Sequence, residues 1–270
     1  MPWENVKLND GRSIPSVGWG SWKMGKGQQA VDSTIQALDA GFVHIDTAQA
    51  YLNQEEVGEA LKRANFKRSD VFLTTKFSGR DGLSILDAAN DSLRKVNLSV
   101  DYVDLYLVHA PSLVRPDILG GWRQMEALQA RGIAKSIGVS NFEIKDLEAL
   151  KGANIVPAVN QILLHPYVWE RQKALVQYCQ SHGIVVEAYS PLIPVTQQPG
   201  GPVDKPLADI SKRTNASFDQ ILLAWARAKG AVVVTNSSKK SRLEGYISAG
   251  DLQLSDDDVA AIDAAARKQK

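Results

Sequence analysis

LQARGIAKSIGVS (residues 128–140) carries the pattern on which the chain is built: the end of an amphipathic helix, a glycine, then a short apolar run. Glycine adopts the left-handed backbone that ends many helices. The same order returns in LDAGFVHID (38–46), YCQSHGIVVEAYS (178–190) and WARAKGAVVVTN (225–236). Short, nearly continuous apolar strands between helices are what parallel strands covered by helices require. Strands are expected near residues 16–19, 42–45, 71–75, 103–108, 133–139, 157–160, 184–188 and 231–235. Eight strands alternating with helices predict fold class α/β and a closed (β/α)8 TIM barrel.

The rest of the chain fits around that barrel. Val31, Ile35 and Leu38 share one helix face, and Leu86, Ala89, Leu93 and Val96 another. KLNDGRSIP (7–15) predicts an N-terminal β-hairpin turning at Asn9-Asp10-Gly11 and closing the barrel bottom. Ser255-Asp256-Asp257-Asp258 predicts the cap of an additional C-terminal helix running through Ala266. PLIPVTQQPGGPVDKP (191–206) follows the seventh strand on the face where barrels bind ligands, and reads as a mobile flap. No linker divides the chain, so residues 1–270 are expected to form a single domain.

Composition narrows the function classes. A chain of 270 residues, 44% hydrophobic and 23% charged, supports one large core. Thirty-one basic residues against thirty acidic ones leave a charge of +1, so no overall field attracts nucleic acid or an anionic membrane. Nothing approaches the ~20 apolar residues of a membrane span, and MPWENVKLNDGR has no apolar signal segment, so a cytoplasmic location is expected. Cys179 is the sole cysteine, which excludes an intrachain disulfide and argues against a cysteine metal cluster. A monomer is expected in the absence of heptads or repeats. The glycosylation triplet Asn97-Leu98-Ser99 reads as chance in such a chain.

Chemistry concentrates at the strand ends: Asp46 and Tyr51 in HIDTAQAY, Lys76 in VFLTTKF, and His109 in LYLVHAP. A phenol ionises near ~10, so it needs a neighbouring cation to exchange protons near neutrality. Lys76 can be that cation, Asp46 can hold it, and His109 can orient a carbonyl. Taken singly, each has an ordinary reading as a helix cap, packed aromatic, solvated lysine or core histidine. Their placement after successive strands favours a proton-donating site. GWGSWKMGKG (18–27) imitates two phosphate motifs, but Lys23 replaces the third glycine of GxGxxG and Gly27 replaces the P-loop hydroxyl. It reads instead as a pocket loop carrying Trp22.

HIDTAQAY with NQEEVGEAL, then TTK, DLYLVH, GVSNF, NQILLHPY, AYSPL and SSKKSR, run in the order of the aldo-keto reductase family, which the chain resembles over essentially its whole length. The resemblance implies hydride transfer between a nicotinamide and an aldehyde or ketone, with Tyr51 as proton donor, tuned by Lys76 and Asp46, and His109 orienting the carbonyl. It implies Ser140, Asn141 and Gln161 around the carboxamide and Tyr189 against the ring, with Ser190 and Leu192 beside them. Asn236, Ser237, Ser238, Lys239 and Arg242 fall in the adenosine-phosphate segment. Asn236 stands where the family commonly has lysine, so NADPH is expected with NADH possible. Trp22, Ser78 and Ala110 are expected in the substrate pocket, Ser78 and Ala110 replacing bulky tryptophans of aldehyde-reducing members. The short PSLVRPDILGG connection and altered phosphate segment are similar to fungal reductases of α-dicarbonyl compounds, such as cyclic ketolactones. No metal is required on this account. A cofactor-binding sensor with little turnover and a Schiff-base lyase using Lys76 are the competing readings.

Overall fold

The four glycine junctions end their helices in one way. In the computed structural model, which describes residues 3–97 and 102–269, Ile133 N–H reaches Leu128 O and Gly132 N–H reaches Gln129 O. The same paired bonds close the helices before Phe42, Ile184 and Ala231, and each junction glycine has positive φ. This double bond satisfies carbonyls that a helix end would otherwise leave open. It also turns the chain at once into the next strand.

An antiparallel hairpin of β1 (Asn5–Lys7) and β2 (Ser13–Pro15) precedes the barrel. The barrel strands are β3 (Val17–Gly20), β4 (His44–Asp46), β5 (Phe72–Phe77), β6 (Val103–Val108), β7 (Ala134–Ser140), β8 (Val159–Leu163), β9 (Val185–Tyr189) and β10 (Val232–Thr235). Neighbours in that order are parallel, and β10 pairs with β3 to close the ring. Between them lie α1 (Gln28–Asp39), α2 (Gln54–Arg63), α3 (Ile85–Val96), α4 (Ile118–Ala130), α5 (Ile144–Glu148), α6 (Trp169–Ser181), α7 (Ile193–Thr196), α8 (Asp204–Thr214) and α9 (Phe218–Ala228). Then α10 (Lys240–Ser248) follows β10, and α11 (Asp256–Ala266) is the last helix among the described residues. Ser255 caps α11 through a reciprocal bond with Asp258, as its sequence predicts.

The hairpin closes the bottom of the barrel. Leu8 and Ile14 pack with Leu105, Leu107, Ala158, Val159 and Val232. Asn9 donates to Pro157 O at 3.0 Å and Ser136 donates to Asp10 at 2.6 Å, tying the turn to the starts of β7 and β8. Above this apolar plug the interior becomes polar, with His44, Thr74, Lys76, Gln161 and Glu187 all buried.

Three expectations change in detail. Several strands extend further toward the mouth than their apolar runs, so that Asp46, Lys76, Ser140, Gln161 and Tyr189 are strand residues. Their backbones join the ladder while their side chains supply the polar layer. In α3 the buried stripe is Ile85, Ala88, Ala89, Ser92 and Val96, with Leu86 and Leu93 only partly buried. Small residues face the neighbouring helix there, where a Cβ on Gly58 would overlap Val96 O. The 191–206 stretch contains α7 and the start of α8, with Leu192 and Pro194 buried. Leu98-Ser99 of the glycosylation triplet lie outside the described residues. No helix among the described residues is long and apolar enough to cross a membrane.

Candidate active site

Asp46 ends β4, Lys76 lies near the end of β5, and Tyr51 ends a single helical turn, Gln49–Tyr51. His109 follows β6, held by its N–H on Phe77 O at 3.0 Å. The Lys76 ammonium is 2.6 and 2.7 Å from the two Asp46 oxygens, 3.1 Å from Thr47 O and 3.1 Å from Tyr51 Oη. An ammonium only donates, so the phenol oxygen accepts from Lys76 and its own proton is free to point elsewhere.

Burial alone would lower the Lys76 pKa; the Asp46 carboxylate, followed by Tyr51, outweighs it and the net shift is upward. Lys76 therefore stays charged. Burial raises the Tyr51 pKa, Lys76 pulls it back, and Asp46 adds to the rise. Lys76 thus acts in the expected direction without prevailing, and the phenol is protonated near neutrality. It is poised as a donor.

His109 pairs through Nδ1 with Ser78 Oγ at 2.9 Å, and the same Oγ accepts the Ala50 N–H at 3.2 Å. Burial, and then the charge of Lys76, lower the His109 pKa to about 4. The ring is neutral at pH 7. When the Ser78 O–H donates its hydrogen bond to Nδ1, the one ring hydrogen resides on Nε2, a donor toward substrate. The His109 and Tyr51 rings meet edge to face at 5.7 Å, and Trp22, 50% exposed, lies 5.0 Å from Tyr51.

These groups border a cavity of about 610 Å³, within the range of ligand sites. Asp46, Tyr51, His109 and Trp22 line it, and the buried Lys76 supports Asp46 and Tyr51 from beneath. Ser140, Asn141, Gln161 and Tyr189 belong to the same lining, as do Ser190, Leu192, Asn236, Ser237, Ser238 and Arg242. Ser78, Ala110 and Lys239 are not part of this lining. Ser78 instead serves His109, while Lys239 is exposed ahead of α10.

The amide and aromatic side chains of this lining are held by hydrogen bonds to one another and to the backbone. Tyr189 Oη donates to Asn141 Oδ1 at 3.0 Å, and Asn141 Nδ2 donates to His109 O at 3.0 Å, which fixes both side chains. Ser140 donates to Gln161 O at 2.9 Å. Arg242 and Ser238, beside the start of α10, add hydrogen-bond donors to this lining. Asn236 turns inward: its amide donates to Gly20 O at 3.1 Å and Trp22 O at 2.9 Å, pinning the Trp22 loop to β10.

The sequence model of the aldo/keto reductase family matches residues 16–267. The chain belongs to this family. It is 43% identical over 255 residues to the NAD/NADP-dependent indole-3-acetaldehyde reductase of Schizosaccharomyces pombe, covering 91% of this chain and 89% of that protein. The methylglyoxal reductase DkgA of Escherichia coli is 36% identical over 259 residues, covering 95% and 91%. The crystal structure of an aldo/keto reductase from Brucella melitensis matches with a TM-score of 0.86 at 38% identity, over 97% of each chain. As an aldo/keto reductase, the chain is an NAD(P)H-dependent oxidoreductase that reduces a small-molecule carbonyl group. The sensor and lyase readings are not favoured. A Schiff-base lysine needs a lowered pKa, whereas that of Lys76 is raised.

Two interior residues of this aldo/keto reductase escaped the sequence reading. Glu187 on β9 is fully buried, accepting from Gln161 Nε2 at 2.6 Å. His44 on β4 is also fully buried and pairs with Thr74 at 2.9 Å. A charged residue inside VVEAY was the available signal for the first. Gly18, one of the false dinucleotide glycines, makes room for the second: a Cβ there would lie 2.8 Å from His44 Nδ1.

Proposed function

We propose that this reductase protonates its substrate through Tyr51 and acts on aldehydes and α-dicarbonyls that carry a flat or small substituent. The observation that carries this reading is the Lys76 ammonium bridging the Asp46 carboxylate and the Tyr51 oxygen beneath the cavity. A nicotinamide, when bound in this cavity, would supply the hydride. His109 Nε2 and the Tyr51 O–H converge on the carbonyl oxygen, and the phenol proton neutralises the charge that develops there. Lys76, tied to Asp46, stabilises the negative charge left on Tyr51. Ser140, Asn141 and Gln161 would hold the nicotinamide carboxamide, and Tyr189 would support the ring face.

The substrate class draws on two relatives, one named for indole-3-acetaldehyde and one for methylglyoxal. The exposed Trp22 face beside Tyr51 supports the first kind of substituent. Cyclic ketolactones remain the bulkier members of the proposed range. Arg242, Ser238 and the start of α10 support a preference for NADPH, moderated by the loss of a cation at Asn236. Arg242→Ala should raise the KM for NADPH ~10-fold or more, the scale of a lost charge-assisted hydrogen bond, and leave NADH nearly unchanged. Equal effects on both cofactors would contradict that assignment. The chain is further proposed to work as a cytoplasmic monomer of one domain, without nucleic acid. Purified protein assayed with each cofactor against arylacetaldehydes, methylglyoxal, simple ketones and cyclic α-dicarbonyls tests the substrate reading; turnover confined to simple ketones would overturn it.

A further inference from the structure

The Gln161 amide has two N–H bonds and two buried carboxyl neighbours. Nε2 lies 2.8 Å from Asp46 Oδ2 and 2.6 Å from Glu187 Oε2. Gln161 and Glu187 are register partners across β8 and β9, whereas Asp46 comes from β4 on the opposite part of the ring. We propose that Glu187 is a positioning residue for the reaction: with Asp46 it engages both N–H bonds of Gln161, so that the amide cannot turn over and presents its oxygen to the cavity. The inference rests on the site reading above. An amide held in this way accepts from a carboxamide NH2 and rejects the reversed carboxamide, which fixes which way round the nicotinamide ring lies.

The ionisable groups around Glu187 determine the state in which it does this. Asp46 and His44 face it from β4, Lys76 from β5, and Tyr51 from above; the flanking strands β8 and β10 carry no ionisable side chain. His44 Nε2 is 3.5 Å from Glu187 Oε1, and burial lowers the histidine pKa to about 4, so it brings no positive charge at neutral pH. Lys76 is committed to Asp46 at 2.6 Å. Glu187 Oε1 has no hydrogen-bond partner among the described residues. Burial, then the Asp46 charge, raise the Glu187 pKa to about 8. That shift favours the protonated carboxyl at pH 7, and a proton on Oε1 leaves Oε2 as the acceptor for Gln161. Ionisation adds a second anion under the site, which opposes formation of a Tyr51 phenolate.

Glu187→Gln and Glu187→Leu separate the two effects. The glutamine oxygen accepts from Gln161 as the acid does, whereas leucine leaves one buried N–H unpaired. Glu187→Leu should weaken NADPH binding ~10-fold, the scale of an unsatisfied buried donor. Glu187→Gln should recover most of that affinity. The wild-type kcat/KM profile should carry an inflection near pH 8 that Glu187→Gln lacks. Infrared spectra of the cofactor-free protein give an independent readout: a protonated-carboxyl band present at pH 6 should fade through pH 8 and be missing in Glu187→Gln. If Glu187→Leu fails to fold, the infrared band and the Glu187→Gln profile decide. A band absent from wild type, an inflection retained in Glu187→Gln, or undiminished affinity in folded Glu187→Leu would overturn the proposal. Wild-type turnover and its loss in Tyr51→Phe, measured in the same assay, report separately on the underlying site reading.

Discussion

Tyr51→Phe removes one oxygen and one proton from the site, and the structure indicates what remains. Lys76 loses the acceptor at 3.1 Å but keeps both Asp46 oxygens and Thr47 O, so its donors stay satisfied. The ring keeps its contacts with Trp22 and His109. The stability change should therefore be about 1 kcal/mol or less, the net value of one hydrogen bond. Catalysis should suffer far more: a positioned general acid contributes ~10²–10⁴ in rate, or ~3–5 kcal/mol of barrier. Steady-state loss of NADPH absorbance with methylglyoxal gives kcat, and quenching of tryptophan fluorescence gives the cofactor Kd. The expected result is a kcat reduced at least ~100-fold with Kd within ~3-fold of wild type. A folded Tyr51→Phe variant that turns over within ~10-fold of wild type would refute the assignment of Tyr51 as proton donor.

Other perturbations probe the surrounding groups. Lys76→Met should lower denaturant-derived stability by ~3–5 kcal/mol, because it strands the buried Asp46 carboxylate, and should abolish most turnover; a loss below ~1 kcal/mol would contradict the buried ion pair. Ser78→Ala should reduce kcat up to ~10-fold by freeing the His109 tautomer, with cofactor affinity unchanged; unaltered ring-nitrogen NMR shifts and kcat would argue against that role. The folded chain holds the Glu187 proton up to about pH 8, whereas the unfolded chain loses it near the ordinary carboxyl value. Stability should consequently fall as pH rises through this window, and Glu187→Gln should gain on wild type between pH 6 and pH 8.5. A stability gap independent of pH would show that Glu187 is ionised throughout. In the other direction His44, His109 and His165, all lowered to about 4, favour unfolding as pH falls from 6.5 toward 4.

The barrel was legible because its signals are local. A glycine that ends a helix and an apolar run that follows need only ten or so neighbouring residues to be read. The strand extensions through Asp46 and Gln161 were not legible, since polar residues look like the end of a buried strand until the mouth of the barrel gives them partners. The bond from Gln161 to Asp46 joins residues 115 positions apart, and Glu187 acquires its meaning only when β8 and β9 pair in register. Ser78 illustrates the same limit. It was expected in the substrate pocket where aldehyde-reducing members carry tryptophan, while its side-chain contacts are His109 and the Ala50 N–H. Asn236 was recognised as a lost cation, but its bonds to Gly20 O and Trp22 O required the closure of β10 against β3.

The most direct test is a product balance. Purified wild-type protein is incubated with NADPH deuterated at both C4 positions and with methylglyoxal, and the alcohol is analysed by mass spectrometry. The account predicts one alcohol per cofactor oxidised, with deuterium on the new carbinol carbon and turnover lost in Tyr51→Phe. Alcohol formed without the label, or tight cofactor binding with no alcohol from any carbonyl in the panel, would contradict it.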